Sequence, residues 1–275
     1  MKKVLAVSGG IDSVVMLHIF REDPDVVVVH FDHGIRPNSS DDADFVERLA
    51  KSYGLPCFVK RAKLGADCSE ETARKARYDF FKQIAVEQGG KIYTAHHRDD
   101  LIETVAINFM RGTGWRGLAP LNSPDIVRPL LDMTKSDIYR YATEHDLHFR
   151  QDQTNTEDVY LRNRIRTKLL EISAADKAKL AELALRQRTL ATEIDEMLSS
   201  LNLGPNYPRD IFSKEDLETF EILRYVLAQN GVQLTRPQLS RAMTAVCEFR
   251  PGTKYSLDKT HFLKINQYYF SIISA

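Results

Sequence analysis

The segment from residue 4 to residue 13 constrains the fold of this chain most strongly. An apolar run, Val4 to Val7, ends in Ser8-Gly9-Gly10-Ile11-Asp12-Ser13, and an apolar, helix-like run follows. A strand, a glycine turn and a helix start predict a parallel α/β unit whose helix amino terminus offers backbone N–H groups to an anion. Two adjacent glycines allow a tight turn and the close approach of a phosphate. The alternative is an ordinary glycine-rich turn of a doubly wound domain.

The side chains of this loop suggest how phosphate groups would be held. Hydroxyl donors come from Ser8 and Ser13, but the lysine of the GxxxxGK[ST] loop is missing. Asp12 would repel a phosphate unless it holds a cation or caps a neighbouring N–H, and we predict that it holds Mg²⁺ across the bond that breaks. The predicted phosphate-binding residues are Ser8, Gly9, Gly10, Ile11, Asp12 and Ser13.

Strand-like and helix-like segments alternate after this loop. Apolar runs predict strands at 26–31, 57–59 and 91–95, and a fifth strand within 126–131 that Pro129 ends or places at an edge. Helices are predicted at 39–53, 69–88, 99–111 and 134–145. This alternation predicts a doubly wound parallel sheet, in which ligands bind beyond the carboxyl ends of the strands. Three turns with polar side chains follow strands, at 8–13, 32–36 and 96–100, and we expect them to converge.

The pattern changes after about residue 170. Leu180, Leu183, Leu190, Ile194 and Met197 form an apolar stripe that predicts a long helix packed on the main domain, with a dimerising coil as the alternative. Residues 202–208 have the composition of a linker. Helix-like and then strand-like runs follow and predict a small α+β domain. The expected organisation is a catalytic domain at 1–170, a linking helix and linker at 171–208, and a small domain at 209–275.

The overall composition excludes several classes of protein. Lys plus Arg and Asp plus Glu number 38 each, so the net charge gives no indication of a nucleic-acid partner. Cys57, Cys68 and Cys247 are isolated, which argues against a disulfide framework or a zinc ribbon and suits the cytoplasm. No apolar run approaches the roughly 20 residues of a membrane span, so no membrane partner is expected.

A second group of chemically active residues follows the predicted strand at 91–95. On a helix that begins near Asp99, Asp100 and Glu103 share a face, and His96 lies just before it. Two carboxylates and a histidine are able to hold Mg²⁺ or to accept a proton. Helix capping is the alternative for these acids, and Asp99 fits it.

Basic residues form local clusters in the otherwise neutral chain. On a helix over 159–168, Arg162 and Arg166 share a face, and Arg111 and Arg116 flank a glycine loop that contains Trp115. The indole is either a stacking surface for an extruded base or part of the core. Residues 231–264 also carry more bases than acids. The candidate RNA-binding residues are Arg111, Arg116, Arg162, Arg166, Arg241 and Lys254, with a solvated surface as the alternative.

Six motifs follow one another along the chain: the 8–13 loop, His30-Phe31-Asp32-His33-Gly34-Ile35-Arg36, Ala73-Arg74-x-x-Arg77-Tyr78, Ala95-His96-His97-x-Asp99-Asp100-x-x-Glu103-Thr104, Arg111-Gly112-Thr113-Gly114-x-x-Gly117-Leu118, and Asn155 with Arg162-Asn163-x-Ile165-Arg166. In these motifs and their order, the chain resembles the tRNA(Ile)-lysidine synthetases, a family of the N-type ATP pyrophosphatase (PP-loop) superfamily. The resemblance covers about residues 1–170.

The resemblance implies an adenine nucleotide alpha hydrolase-like fold and a two-step ligation. ATP adenylates the C2 carbonyl oxygen of the wobble cytidine in a CAU anticodon and releases pyrophosphate. The ε-amine of free L-lysine then attacks C2 and expels AMP, and the resulting lysidine pairs with A instead of G. The implied cofactors are ATP and Mg²⁺, and a homodimer is left open. The implied site residues are Asp12, His33, Arg77, His96, Asp100 and Glu103.

The alternative functions are a tRNA thiolase and a non-catalytic nucleotide-binding module. A PP-loop tRNA thiolase would use the same ATP chemistry but deliver sulfur, and the three isolated cysteines argue against it. A nucleotide-binding module without catalysis would not need the acidic and basic clusters. For the ligation, Asp100 and Glu103 are expected to bind and deprotonate the lysine amine or to hold Mg²⁺, and the sequence does not separate these roles.

Overall fold

A computed structural model describes residues 1–34, 39–65, 68–123, 125–150, 158–201, 203–212 and 216–274, without the side chains of residues 39, 70 and 158–163. The chain forms two compact units. One comprises Met1–Arg111 and Ala119–Leu185, and the other comprises Gly112–Leu118 and Arg186–Ala275. The Ile35 and Arg36 of the second predicted turn, and the predicted motif residue Asn155, lie outside the described residues.

The first unit is built on a five-stranded parallel sheet of order β3-β2-β1-β4-β5. The valine-rich run 26–32 is buried along its whole length, because it is a parallel strand that is covered on both faces. The strands are β1 (Lys2–Ala6), β2 (Val26–Asp32), β3 (Cys57–Arg61), β4 (Gly90–Tyr93) and β5 (Ile126–Val127). The predicted doubly wound α/β fold is confirmed.

Helices cover both faces of this sheet. In β1 and β2, alternate side chains point to opposite faces. Val4, Val27 and Val29 pack with α3 (Glu70–Glu87), whereas Leu5 and Val28 pack with helices on the other face. Those helices are α1 (Ile11–Phe20), α2 (Ser39–Ser52) and α5 (Lys135–Glu144).

The strand order reverses direction at β1. From β1 the chain builds outward first through β2 and β3, and then on the other side through β4 and β5. The carboxyl ends of β1 and β4 therefore flank a topological switch point, where doubly wound sheets bind their ligands. The 8–13 loop follows β1, and α4 (Arg98–Met110) follows β4.

The remaining helices of the first unit are α6 (Asp158–Leu170) and the beginning of α7 (Ala174–Ser200). The apolar stripe predicted for α7 is buried only in part: Leu180 and Ile194 are partly buried, whereas Leu183, Leu190 and Met197 are exposed. The buried positions are instead Ala181, Ala184 and Ala191. Ala184 packs with Leu101 and Leu131. Alanine allows close approach of a helix to its neighbours, so the small residues, not the large ones, mark the buried face.

The second unit has its own apolar core. It contains α8 (Leu217–Gln229) and α9 (Arg236–Glu248), packed on an antiparallel sheet of order β6-β9-β8-β7. The strands are β6 (Tyr207–Pro208), β7 (Lys254–Ser256), β8 (His261–Ile265) and β9 (Tyr269–Ser274). Helix-like runs followed by strand-like runs were predicted here, and the structure has them in that order.

The end of the predicted linker is an edge strand. Tyr207 of β6 is buried, and its ring lies 5.2 Å from that of Phe270. The neighbouring Arg209 donates hydrogen bonds to the carbonyl oxygens of Val246, Cys247, Phe249 and Asn266, at 2.7 to 3.0 Å. The composition of residues 202–208 predicted a linker and not a strand. The strand is fixed by the burial of the Tyr207 ring and by the hydrogen bonds of Arg209, which composition does not reveal.

Several other boundaries agree with the sequence. The amino terminus of α3 is capped by Ser69, whose hydroxyl accepts a hydrogen bond from the Thr72 N–H. β5 stops at Val127, before Pro129, which has no N–H for the sheet. In the part of the chain that the structure describes, no helix is long and apolar enough to cross a membrane.

The buried histidine of β2 predicts a pH-dependent stability. His30 is 5% exposed, its Nδ1 lies 2.8 Å from the Val7 carbonyl oxygen, and burial lowers its pKa below 6.5. Below pH 6.5, His30 therefore binds more protons in the unfolded chain than in the folded chain. Its contribution to the free energy of unfolding falls as the pH falls.

Urea unfolding at about pH 8 and about pH 5.5 measures this effect. The wild-type protein should lose more stability between the two pH values than His30→Gln, whereas the exposed-site variant His148→Gln should behave like the wild type. Burial also lowers the pKa of His18, so part of the loss should persist in His30→Gln. Equal losses in all three proteins would contradict the prediction.

Candidate active site

The 8–13 loop is organised by the Ser13 hydroxyl. Its Oγ accepts hydrogen bonds from the Ser8 N–H at 3.1 Å and the Gly9 N–H at 3.2 Å, and it donates to the Gly10 carbonyl oxygen at 2.9 Å. Ser13 is buried, whereas Ser8 is exposed. The two predicted hydroxyl donors therefore differ: Ser13 shapes the loop, and Ser8 faces solvent.

Gly9 is required by the backbone of this loop. Its φ is +92°, a region that side chains disfavour, and an added Cβ would lie 3.4 Å from Cδ1 of Phe45. Its carbonyl oxygen accepts a hydrogen bond from the Arg150 N–H at 2.9 Å. Helix α1 begins immediately afterwards, and its first-turn N–H groups have no partners within the helix. The loop and α1 therefore form the glycine turn and helix start that the sequence predicted, and anion binding there stays a prediction.

Asp12, in the first turn of α1, contacts residues from two other connections. Its Oδ1 accepts a hydrogen bond from Nζ of Lys135 at 2.6 Å and lies 3.8 Å from Nε2 of His97. Lys135 is the first residue of α5, and its backbone N–H donates to Asp99 Oδ2 at 2.7 Å. The segments that follow β1, β4 and β5 therefore meet at Asp12.

His97 precedes α4 and lies among carboxylates. Its Nε2 is 3.5 Å from Asp100 Oδ2, its Nδ1 is 3.7 Å from Asp99 Oδ2, and the side chain is 7% exposed. The His97 N–H donates to Asp100 Oδ2 at 3.0 Å. Asp100 thus caps α4, as the alternative interpretation predicted, and its side chain also lies beside the His97 ring.

Glu103 and Asp100 face the same guanidinium. Nε of Arg166, on α6, donates to Glu103 Oε1 at 2.5 Å, and its Nη2 lies 4.0 Å from Asp100 Oδ1. This hydrogen bond to Glu103 raises the pKa of Arg166, against the opposing effect of burial. The predicted shared face of Asp100 and Glu103 is confirmed. Arg166 was predicted to bind RNA, but its partner here is a carboxylate of the acidic cluster.

The other predicted nucleotide-site residues occupy separate positions. Nδ1 of His96 lies 2.9 Å from the Thr94 hydroxyl, and the ring of the next residue, His97, lies beside Asp12 and Asp100. His33 packs against Phe31, with 4.8 Å between ring centroids. Arg77 lies over the Tyr78 ring at 5.7 Å on α3.

The RNA-binding candidates differ in how much of their charge is neutralised. Arg116 donates to Asp195 Oδ1 at 2.8 Å and to Glu221 Oε2 at 2.6 Å, and Trp115 donates to Glu221 Oε1 at 3.1 Å. Burial lowers the pKa of Arg116, but these two carboxylates raise it overall. Arg116 therefore forms ion pairs within the second unit that neutralise its charge, and its contact with RNA stays a prediction.

Three of the other four RNA-binding candidates have exposed side chains. Arg111, at the end of α4, and Arg241, on α9, are exposed. Lys254 on β7 is exposed, with its Nζ 3.9 Å from the centre of the Phe262 ring. The side chain of Arg162 lies outside the described residues, although α6 forms as predicted.

Sequence reasoning missed two residues of this site. His97 was quoted in the motif, but the adjacent His96 was chosen. Lys135 was treated only as part of a helix. The feature that indicates a site role for Lys135 is its place in the chain after β5, a strand whose carboxyl end lies beside that of β4. Among the described residues, no group of three or more His, Cys, Asp or Glu side chains forms a set of metal ligands.

A family model described as the PP-loop domain matches residues 1–172. The chain belongs to the PP-loop domain family. This match covers both the loop after β1 and the acidic helix α4, so the predicted superfamily is confirmed. The 8–13 loop is the PP-loop of this chain.

Curated relatives extend this assignment. The chain is 37% identical over 216 residues to the tRNA(Ile)-lysidine synthase of Caldanaerobacter subterraneus, covering 72% of this chain and 46% of the relative. It is 35% identical over 246 residues to that of Geobacter sulfurreducens, covering 76% and 52%. The chain thus spans about half the length of these relatives or less.

A solved structure shows the same fold. The U34-tRNA thiolase NcsA from Methanococcus maripaludis, with its [4Fe-4S] cluster, superposes with a TM-score of 0.58, at 17% identity, covering 69% of this chain and 72% of that chain. At this identity the similarity supports the architecture only.

The ion pair between Arg166 and Glu103 predicts a loss of stability on removal of the cation. Arg166→Met would leave the buried Glu103 carboxylate without this partner, at a cost of about 1–3 kcal/mol in the free energy of unfolding. Arg164→Met, an exposed position on the same helix, is the matched control and should change little. In a Glu103→Gln background the cost of Arg166→Met should shrink. Denaturant unfolding measures all four proteins, and equal costs for Arg166→Met and Arg164→Met would contradict the assignment.

Proposed function

We propose that this chain is a ligase that joins L-lysine to C2 of the wobble cytidine of tRNA(Ile) with a CAU anticodon, using ATP. The observation that carries the proposal is the meeting of the PP-loop with the carboxylates of α4 around His97. Support also comes from the tRNA(Ile)-lysidine synthases to which the chain is similar. We also propose a cytoplasmic location, where tRNA and free lysine are available.

The first step of the proposed reaction is adenylation. The C2 carbonyl oxygen of the cytidine attacks the α-phosphorus of ATP, and pyrophosphate leaves. In this step the N–H groups at the amino terminus of α1 and the exposed Ser8 hydroxyl would hold phosphate oxygens. His33 and Arg77 are proposed nucleotide contacts on the family pattern alone.

Asp12 fits the role of a Mg²⁺ ligand in part. Mg²⁺ is commonly held by one or two carboxylates together with substrate phosphates, and the Asp12 side chain is 31% exposed at the start of α1. When bound, Mg²⁺ would neutralise charge on the phosphates. Because Lys135 already contacts Asp12 Oδ1, the carboxylate would have to share its charge between lysine and metal.

The second step requires a neutral lysine amine. Deprotonating an ammonium of pKa about 10.4 at pH 7 costs roughly 4.6 kcal/mol, so a positioned base has a large effect on the rate. The amine attacks C2, the bond to the adenylate oxygen breaks, and AMP leaves. Glu103 is already paired with Arg166, whereas Asp100 lies beside His97. We therefore assign Asp100 to the amine and Glu103 to holding Arg166 in the site.

The tRNA is proposed to contact the second unit, with residues 209–275 as its RNA-binding domain. Arg241 and Lys254 are exposed there, and Arg111 is exposed on α4. These cations are better placed for RNA than Arg116, whose guanidinium is paired with two carboxylates.

Lysine incorporation tests the proposed reaction. Bulk tRNA, ATP and labelled lysine are incubated with the protein, and a parallel reaction supplies a labelled sulfur donor. We expect lysine label in tRNA and none from the sulfur donor, because burial, with help from the nearby Glu47, raises the pKa of the Cys57 thiol to about 11 and makes it a poor nucleophile at neutral pH. Sulfur label would support the thiolase, and no label would support a non-catalytic module.

The same assay separates the two carboxylates. At saturating ATP, Asp100→Asn should lower lysine incorporation by at least about a hundredfold, within the range for loss of a general base. Glu103→Gln should lower it less, through the position of Arg166. The exposed acid Glu71 provides the control variant Glu71→Gln. Wild-type turnover in Asp100→Asn would remove that residue from the mechanism.

Salt dependence tests the RNA surface. Filter binding of tRNA over a range of salt concentrations should weaken with salt, and Arg241→Glu or Lys254→Glu should each reduce the slope of the logarithmic plot by about one. Lys82→Glu, an exposed lysine on α3, is the control. Binding that does not depend on salt would contradict the assignment.

A further inference from the structure

The PP-loop lies in surroundings that are unfavourable for a phosphate. Asp12 is part of the loop, and Asp99 and Asp100 lie within 4 Å of the adjacent His97 ring. The loop itself carries no lysine. The proposed nucleotide therefore requires a cation from elsewhere in the chain, in addition to any metal ion.

Lys135 brings an ammonium group to this position. Its Nζ lies 2.6 Å from Asp12 Oδ1, and the side chain is 36% exposed, so a ligand has access to it. An ammonium group has three donors, and the contact with Asp12 uses one. The remaining donors are available to oxygens of a phosphate at the same helix terminus.

The backbone of Lys135 is fixed independently of this contact. Its N–H donates to Asp99 Oδ2 at 2.7 Å. The preceding Thr134 caps α5 reciprocally with Asp137, through bonds of 2.9 and 3.1 Å. The side chain passes the Tyr139 ring, 5.4 Å from its centre. Lys135 is thus held at both ends, and its position does not depend on the nucleotide.

We propose that Lys135 is a phosphate-binding residue of the nucleotide site, supplied by α5 in place of the lysine that the PP-loop lacks. It contacts oxygens of the pyrophosphate portion of ATP and stabilises the negative charge that develops there as pyrophosphate leaves. The contact with Asp12 holds the ammonium in place before the nucleotide binds. This inference rests on the proposed use of ATP.

Binding of inorganic pyrophosphate tests this role without tRNA or lysine. Calorimetric titration of the full chain, with and without Mg²⁺, should show that Lys135→Met weakens binding by about tenfold or more, because charge-assisted hydrogen bonds are lost. Lys135→Arg retains a cation and should restore most of the affinity. Lys51→Met, at an exposed lysine of α2, should bind like the wild type. Thermal unfolding of each variant shows whether its fold is as stable as that of the wild type.

A double variant separates direct binding from neutralisation of Asp12. If Lys135 served only to neutralise that carboxylate, Lys135→Met would have no effect in an Asp12→Asn background. We expect the loss of affinity to persist there. Unchanged affinity in a folded Lys135→Met, or loss of its effect in the Asp12→Asn background, would overturn the inference while leaving the proposed ligation standing. Failure of the wild-type protein to bind pyrophosphate or ATP would overturn both.

Discussion

The parallel pairing of β1 with both β2 and β4 is the constraint on which the rest of the site depends. Because β1 is central, its carboxyl end is buried between two neighbours, and the chain must leave it through a tight turn into α1. Gly9 and the Ser13 hydroxyl make that turn. The same pairing aligns the exits of β4 and β5 beside it, so residues from three distant parts of the sequence meet without any long loop.

Charge is balanced locally around this turn. Lys135 offsets Asp12, Arg166 offsets Glu103, and His97 lies between the carboxylates of Asp12 and Asp100. Lys135 and Arg166 each come from a helix different from that of the acid they contact, whereas His97 and Asp100 both belong to the amino terminus of α4. Lys135 and Asp12 are both partly exposed, so their pair contributes little to stability, whereas the pair of Arg166 with the buried Glu103 carboxylate contributes more. Under the proposed function, the pair of Lys135 and Asp12 prepares the site for charged ligands.

The sequence predicted the architecture well because strand and helix periodicities are local properties. The order of elements, the PP-loop and the shared face of Asp100 and Glu103 were all accessible in this way. Contacts between distant residues were not. The choice between His96 and His97 depends on the direction of the chain at the end of β4, and the role of Lys135 depends on the neighbour of β4 in the sheet. The buried face of α7 was mistaken because alanines, with little hydrophobic weight, form it.

Arg209 illustrates how little burial alone says about tolerance to sequence change. It is only partly buried, and a ranking by exposure would place it among the freely variable positions. Its planar guanidinium nevertheless joins the end of α9, the turn before β9 and the edge strand β6 through four carbonyl oxygens. A lysine has neither the number nor the geometry of donors to replace it. Sequence drift or redesign of the second unit therefore has to proceed around this residue, and grafting the unit onto another protein has to include it.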